Sequence, residues 1–350
     1  MLGAMRFGLA GSGEIGALRA RALARLAEHE LVAVADPDSE RAARLGVPVF
    51  VAPEELLASV DVDALIVSTP PSAHAEIALA AIEAGKHVLI EKPLAPNPEA
   101  CREILQSARA RGLTVAVGFN QRYFPAIERI RKSVEAGEIG AVRQVRAYSG
   151  HPGPGEFHSR WESDPAVTGG GALMDNGSHL IDHVCALGGD FQTVEGFATD
   201  ASWPWEGEGV RDSDASVLLR ADDGRRASFS VSWSEHRGYR FWVEAVGERG
   251  LARASYGPMF ASVTRVDQPG GRSRTTRDFF PSVALKEKLS GWQTTVEQTF
   301  VRELQDFSAR ISKQTVPSAE GFDGFRTVEI AHAVYRASET RSAVRLSDPF

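Results

Sequence analysis

The chain has 350 residues, 43% hydrophobic and 24% charged, which predicts a packed core and enough length for two domains. Its net charge of −7 does not suit a nucleic-acid backbone as main partner, no apolar run is long enough to span a bilayer, and two cysteines, Cys101 and Cys185, cannot build a disulfide framework. A reducing, cytoplasmic setting is the default expectation, and the few residues before Met5 read as no signal peptide.

From residue 5 to about 120, short apolar runs alternate with alanine- and leucine-rich stretches of helical period. Strands are predicted at 6–10, 31–35, 64–68, 87–90 and 114–117, and helices at 15–28, 53–59, 73–84 and 98–111. Continuously apolar strands separated by helices predict a parallel sheet covered on both faces. Residues 1–121 are thus expected to form a doubly wound domain, with ligands at the carboxyl ends of its strands. Beyond it come a helix at 125–136, a strand at 142–148 and a glycine- and proline-rich loop at 150–155. Strands follow at 193–199, 213–220, 227–234, 241–246 and 250–255. Asp222-Asp223-Gly224 reads as a hairpin turn and 268–276 as an exposed loop, before helices at 296–311 and 320–340. Residues 122–350 are expected to form an α+β domain with a largely antiparallel sheet, and the whole chain is classed α/β.

Gly11-Ser12-Gly13-Glu14-Ile15-Gly16 follows the first strand and opens the first helix. In that context the pattern cradles a dinucleotide: the glycines allow the tight turn and close approach, and the helix N-terminus faces the pyrophosphate. Asp36 ends the second strand, twenty residues past Gly16, where an acid binds ribose hydroxyls and repels a 2′-phosphate. NAD is expected over NADP, with Arg41 close enough to complicate the choice. Two more segments fall on the same rim, Thr69-Pro70 with His74, and Glu91-Lys92-Pro93. The proline restricts Lys92 and permits a cis bond. His74 either approaches the nicotinamide or caps its helix.

Asp175 and His179 lie four residues apart, so a helix there carries both on one face as a proton-transfer pair. The alternatives are a helix N-cap for Asp175 and a plain surface pair. Asp182 is expected to be structural. Asp175, His179 and His183 step by four, but no acid or cysteine cluster joins them, so no metal is expected; His151 and His158 lack ligand spacing. Trp161, after Arg160, is either a wall for a sugar pocket or ordinary packing, and Trp203-Pro204-Trp205 decides nothing.

In order and spacing, the 11–16 loop, Asp36, Thr69-Pro70 with His74, Glu91-Lys92-Pro93, Gly118-Phe119-Asn120-Gln121-Arg122 and Asp175…His179…Asp182 resemble the Gfo/Idh/MocA family of oxidoreductases. The resemblance implies a Rossmann domain followed by a domain with a large open sheet, which often serves as the oligomer interface; a homodimer or homotetramer is the expectation. It implies that Lys92 lies beside the nicotinamide and the substrate hydroxyl, that His179 is the general acid/base, and that Asp175 contacts substrate or assists the histidine. It places Asn120 and Arg122 along the site. Gln121 stands where the family often has arginine, and Asn176 where it often has an apolar residue. The activity so implied is NAD(P)-dependent hydride transfer with a secondary hydroxyl of a sugar, sugar derivative or cyclitol. The alternatives are NAD-assisted, non-redox glycoside cleavage and a catalytically inactive dinucleotide-sensing regulator.

Overall fold

Six short strands carry the apolar runs of the N-terminal third: β1 (Met5–Ala10), β2 (His29–Ala35), β3 (Val49–Phe50), β4 (Ala64–Val67), β5 (His87–Ile90) and β6 (Val115–Val117). This computed structural model describes residues 4–153, 161, 164–199, 211–268, 271–313 and 319–347. The six strands pair in parallel in the order β3-β2-β1-β4-β5-β6. Phe7, Leu9, Ile66 and Leu89 are all buried, as a sheet covered on both faces requires. The order reverses at β1, which lies between β2 and β4. The carboxyl ends of β1 and β4 therefore open the crevice where such sheets bind ligands.

The covering helices are α1 (Glu14–Leu23), α2 (Ser39–Ala43), α3 (Pro53–Ser59), α4 (His74–Glu83) and α5 (Pro98–Arg111). Local chemistry sets the ends of α5. Asn97 accepts a hydrogen bond from the Ala100 N–H at 2.9 Å, Pro98 starts the first turn, and Gly112 closes the helix in the left-handed region. α1 stops at Leu23 rather than at 28, because His29 already pairs with Met5 and the intervening residues must turn the chain back.

The second sheet is built from β7 (Val142–Gly150), β8 (Thr193–Thr199), β9 (Asp214–Arg220), β10 (Arg226–Ser232), β11 (Arg240–Gly247), β12 (Gly250–Tyr256), β13 (Phe260–Val266), β14 (Ser273–Phe279) and β15 (Val344–Arg345). Their order is β14-β13-β12-β11-β7-β10-β9-β8-β15. All neighbours are antiparallel except β7 and β10, so the sheet is mixed. The hairpin turn at Asp222-Asp223-Gly224 joins β9 to β10, with Gly224 at φ +90°. Burial alternates along β9 and β10, the mark of a sheet with one covered face. Helices α6 (Pro125–Glu135) and α8 (Asn176–Gly188) pack on it; the short α7 (Pro165–Thr168) precedes α8.

One expectation is corrected here. Residues 273–276 are not loop but the start of β14, paired with β13 from Phe260↔Phe279 to Val266↔Ser273. β14 is an exposed edge strand of sequence Ser-Arg-Thr-Thr-Arg-Asp-Phe, so it buries no face and shows no apolar alternation.

The chain then runs through α9 (Pro281–Ser290), α10 (Gln293–Ser312) and α11 (Ala319–Thr340). Phe300, Leu304 and Phe307 of α10 join Phe7, Leu9, Leu18 and Leu23 in one buried cluster. By packing, the chain forms two units, Met1–Asn120 with Glu287–Phe325, and Gln121–Lys286 with Arg326–Phe350. Residues 287–325 thus sit with the first sheet, not with the rest of 122–350.

Candidate active site

In the first unit, the glycine loop leaves β1 at Gly11, whose φ is +90°. A Cβ on Gly11 would stand 2.6 Å from the Ser68 carbonyl oxygen, and one on Gly16 would stand 2.0 Å from the Gly11 carbonyl oxygen. Both positions exclude any side chain, while Gly13 has open space around it. Gly13 also occupies the N-cap of α1 with no side-chain cap, and Glu14 and Ile15 begin the helix. Backbone N–H groups at that end suit the pyrophosphate of a dinucleotide, so the residues present fit NAD.

Asp36 lies at the end of β2, 2% exposed. Its Oδ2 accepts from the Ser12 N–H at 2.6 Å and the Ser12 hydroxyl at 2.8 Å. Its Oδ1 accepts from the Asp38 N–H and from Arg41 Nη2, both at 2.8 Å. Burial alone would raise the Asp36 carboxyl, but these four donors outweigh it and hold the group below the usual carboxylate range.

The two further rim segments are fastened to each other. The His74 ring is fully buried, with Nδ1 2.9 Å from the Pro93 carbonyl oxygen and Nε2 2.9 Å from that of Thr69. It therefore ties the Thr69-Pro70 loop to the Lys92-Pro93 loop, whose joining peptide is cis. Burial pushes the His74 pKa down against the pull of the two carbonyls and Glu91. Glu91 faces inward: its Oε1 accepts from Arg19 Nε at 2.6 Å. Arg19 is wholly buried on α1, paired also with Glu303 of α10 and lying 3.9 Å over the Phe300 ring. Glu91 thus anchors its loop, and the half-buried Lys92 follows at the end of β5. Asn120 donates to the Thr299 hydroxyl at 3.0 Å, which commits its amide to α10.

In the second unit, Asp175 occupies the N-cap position of α8, yet its carboxylate makes no cap hydrogen bond. Asp175 Oδ2 instead lies 3.3 Å from His151 Nε2. The buried His179 comes one turn later on α8. Asp182, a further turn on, is buried and accepts from two guanidinium nitrogens of Arg122, Nε at 2.8 Å and Nη2. The Arg122 fork is therefore engaged in holding α8. Two backbone N–H groups of the glycine run, Gly171 and Leu173, donate to buried Asp212 at 2.8 and 2.7 Å, and the Tyr335 hydroxyl donates to the same carboxylate at 2.7 Å. This fixes the entry to α8.

Sequence reasoning missed Tyr239 and Ser149, the partners of Gln121 and Asn176. Gln121 donates to the Tyr239 hydroxyl at 2.9 Å, the Tyr239 ring lies 6.4 Å from that of His151, and Asn176 donates to Ser149 at 3.2 Å. Burial, with the Asp175 charge also contributing, raises the Tyr239 hydroxyl above its ordinary pKa. No local motif marks Tyr239 or Asp212; hydrogen bonds to residues far along the chain bring them in. Trp161 is 43% exposed, and His158, Arg160, Trp203, Pro204 and Trp205 lie outside the described residues.

Residues 5–119 match the family profile described as "Oxidoreductase family, NAD-binding Rossmann fold", and 127–253 match the GFO/IDH/MocA C-terminal domain. The chain is 28% identical to an inositol 2-dehydrogenase of Rhizobium meliloti (strain 1021), over 98% of this chain and 99% of the relative. It is 30% identical to inositol 2-dehydrogenase 3 of Saccharopolyspora erythraea, over 97% and 95%. The solved structure of a levoglucosan dehydrogenase in complex with NADH superposes with a TM-score of 0.86 at 25% identity, covering 99% of this chain and all of that one. The chain belongs to the GFO/IDH/MocA oxidoreductase family, and its N-terminal domain is that family's NAD-binding Rossmann fold.

Proposed function

We propose that this oxidoreductase is a dehydrogenase for a secondary hydroxyl of a sugar, sugar derivative or cyclitol, with NAD rather than NADP as cofactor. The observation that carries the reading is the pinned loop of Lys92. It follows β5, is held by Glu91 on Arg19 and by His74 on the Pro93 carbonyl, and leaves the sheet on the rim that carries the glycine cradle. Relatives named inositol 2-dehydrogenase and levoglucosan dehydrogenase support the substrate class.

NAD, when bound, supplies the hydride acceptor. The His179 imidazole takes the hydroxyl proton, the general-base role that an imidazole side chain can fill. The Lys92 ammonium stabilises the negative charge that develops on the oxygen as the C=O bond forms. Asp175, with His151 beside it, orients the substrate or the His179 ring. The outer face of the second sheet exposes Phe197 and Leu218 beside Tyr148 and Trp242, a surface that fits a second copy of this chain in a homodimer or homotetramer.

A panel of inositols, polyols and aldoses with NAD, followed at the NADH absorbance band, tests the reading. At least one should yield NADH, and Lys92→Ala and His179→Ala should each cut turnover by about 10²- to 10⁴-fold. No NADH across the panel, or near-full turnover by His179→Ala, contradicts it.

A further inference from the structure

The glycines ahead of α8 stand where other groups come too close for a side chain. A Cβ on Gly170 would lie 2.0 Å from the Tyr335 hydroxyl oxygen, and one on Gly171 would lie 1.9 Å from the Asp212 carbonyl oxygen. The residue packed against them, Asp212, is wholly buried just ahead of β9. Three successive N–H groups end on it: Gly171 on Oδ1 at 2.8 Å, Leu173 on Oδ2 at 2.7 Å, and Ala172 on the backbone carbonyl at 2.9 Å. The Tyr335 hydroxyl of α11 donates to Oδ1 at 2.7 Å, and the Arg211 guanidinium lies 3.9 Å over the Tyr335 ring. Burial raises the Asp212 carboxyl against the pull of Tyr335, Leu173 and Gly171. It also raises the Tyr335 hydroxyl well above its ordinary pKa, which keeps that group a donor.

The clamp ends where the proposed chemistry begins. Gly171, so held, accepts the Asp175 N–H at 3.0 Å, and Asp175 opens α8. An aspartate at that position ordinarily sits in extended backbone and caps its own helix, accepting from an N–H two or three residues on. Here Asp175 has φ −80° and ψ −95° and makes no cap bond, and its Oδ2 lies 3.3 Å from His151 Nε2. The same end of the sheet carries the residues on both sides. The Trp233 N–H, just past β10, donates to the Ser213 carbonyl next to Asp212, and the His151 N–H, just past β7, donates to Ser232 of β10. We infer that Asp212, backed by Tyr335, is a positioning residue for the reaction: it holds the glycine run so that the Asp175 carboxylate leaves its helix cap for His151 and the substrate. The inference rests on the proposed role of Asp175 and deepens it.

Imidazole NMR on protein with isotope-labelled histidine reads the geometry and needs no substrate. The His151 ring signals, assigned through their loss in His151→Gln, should shift in Asp175→Asn. Asp212→Asn and Tyr335→Phe should shift them in the same direction, while those of His87 in the first unit stay in place. Turnover of a polyol that the wild-type protein accepts reads the function. Asp212→Asn should lower kcat by about 10- to 10²-fold, the cost of a small misplacement, and Tyr335→Phe, which loses one hydrogen bond, by about three- to tenfold. In an Asp175→Asn background, Asp212→Asn should cost less than about threefold, because the group it acts through is already gone. Tyr335→Phe removes one oxygen and keeps the ring beneath Arg211, so it covers a failure of Asp212→Asn to fold. Unmoved His151 signals in both variants overturn the inference, as does a kcat loss as large with Asp175→Asn as without it. A wild-type protein that oxidises no polyol contradicts the proposed function, and the NMR measurement then decides the clamp by itself.

Discussion

Asp182 and His183 are neighbours on α8, both buried, with opposite electrostatic settings. Asp182 is charge-paired with Arg122. Burial, and after it the charges of Arg122 and Arg131, pushes the His183 pKa down to about 3, with the ring packed 5.3 Å from that of Phe241. An unfolded histidine titrates near 6.5, so below that pH the unfolded chain takes up a proton the folded chain refuses. The stability is fully present above pH 6.5 and is lost progressively toward pH 3, by about 1.4 kcal/mol per pH unit for this one proton. Urea unfolding should show a loss of about 2 kcal/mol from this proton between pH 7 and pH 5 in the wild-type protein and a smaller total loss in His183→Leu; equal losses would contradict the assignment. At this scale the sequence was readable where chemistry is local. The glycine loop and Asp36 follow from short-range pattern. Glu91 did not: its motif placed it at the cofactor, whereas its carboxylate serves Arg19, a residue 72 positions away that no spacing rule connects to it. The grip on Arg122 escapes a reading of the sequence for the same reason, since its partner lies 60 positions on.

α1 and α10 are joined by a buried charge cluster. Arg19 leaves α1 fully buried and meets both Glu91 and Glu303, and the exposed side of α1 adds ion pairs from Arg21, and just past its end from Arg25, to Glu297. Removing the cation alone leaves two carboxylates in a dry interior. Arg19→Met should therefore destabilise the first unit by about 3–5 kcal/mol, while adding Glu91→Gln and Glu303→Gln should recover part of the loss. Thermal melts check this: an Arg19→Met midpoint equal to wild type would count against the cluster. Elements were legible in proportion to how much apolar surface they bury. β1, β4 and β5 are covered on both faces and read as continuous apolar runs. β14 buries no face and α9 has no buried residue, so neither leaves a pattern. α10 was visible as a helix, but its apolar stripe does not say which sheet it will join.

Across the whole molecule, chain order and packing order diverge. The first sheet is complete by residue 117, yet its unit needs 287–325 from far along the chain. Moving along the sequence divides the chain once; the buried cluster around Phe7, Leu18, Phe300 and Phe307 divides it differently. The relatives match across nearly the full length, so the similarity spans both units. In the proposed reaction, Lys92 and His179 serve the same substrate oxygen. A crystal structure with NADH and a polyol that the protein turns over probes this without intermediaries. The Lys92 ammonium and the His179 imidazole should both stand within about 3 Å of the hydroxyl on the carbon facing the nicotinamide. An imidazole turned away from that hydroxyl, or a Lys92 in contact with neither cofactor nor substrate, would contradict the proposed chemistry.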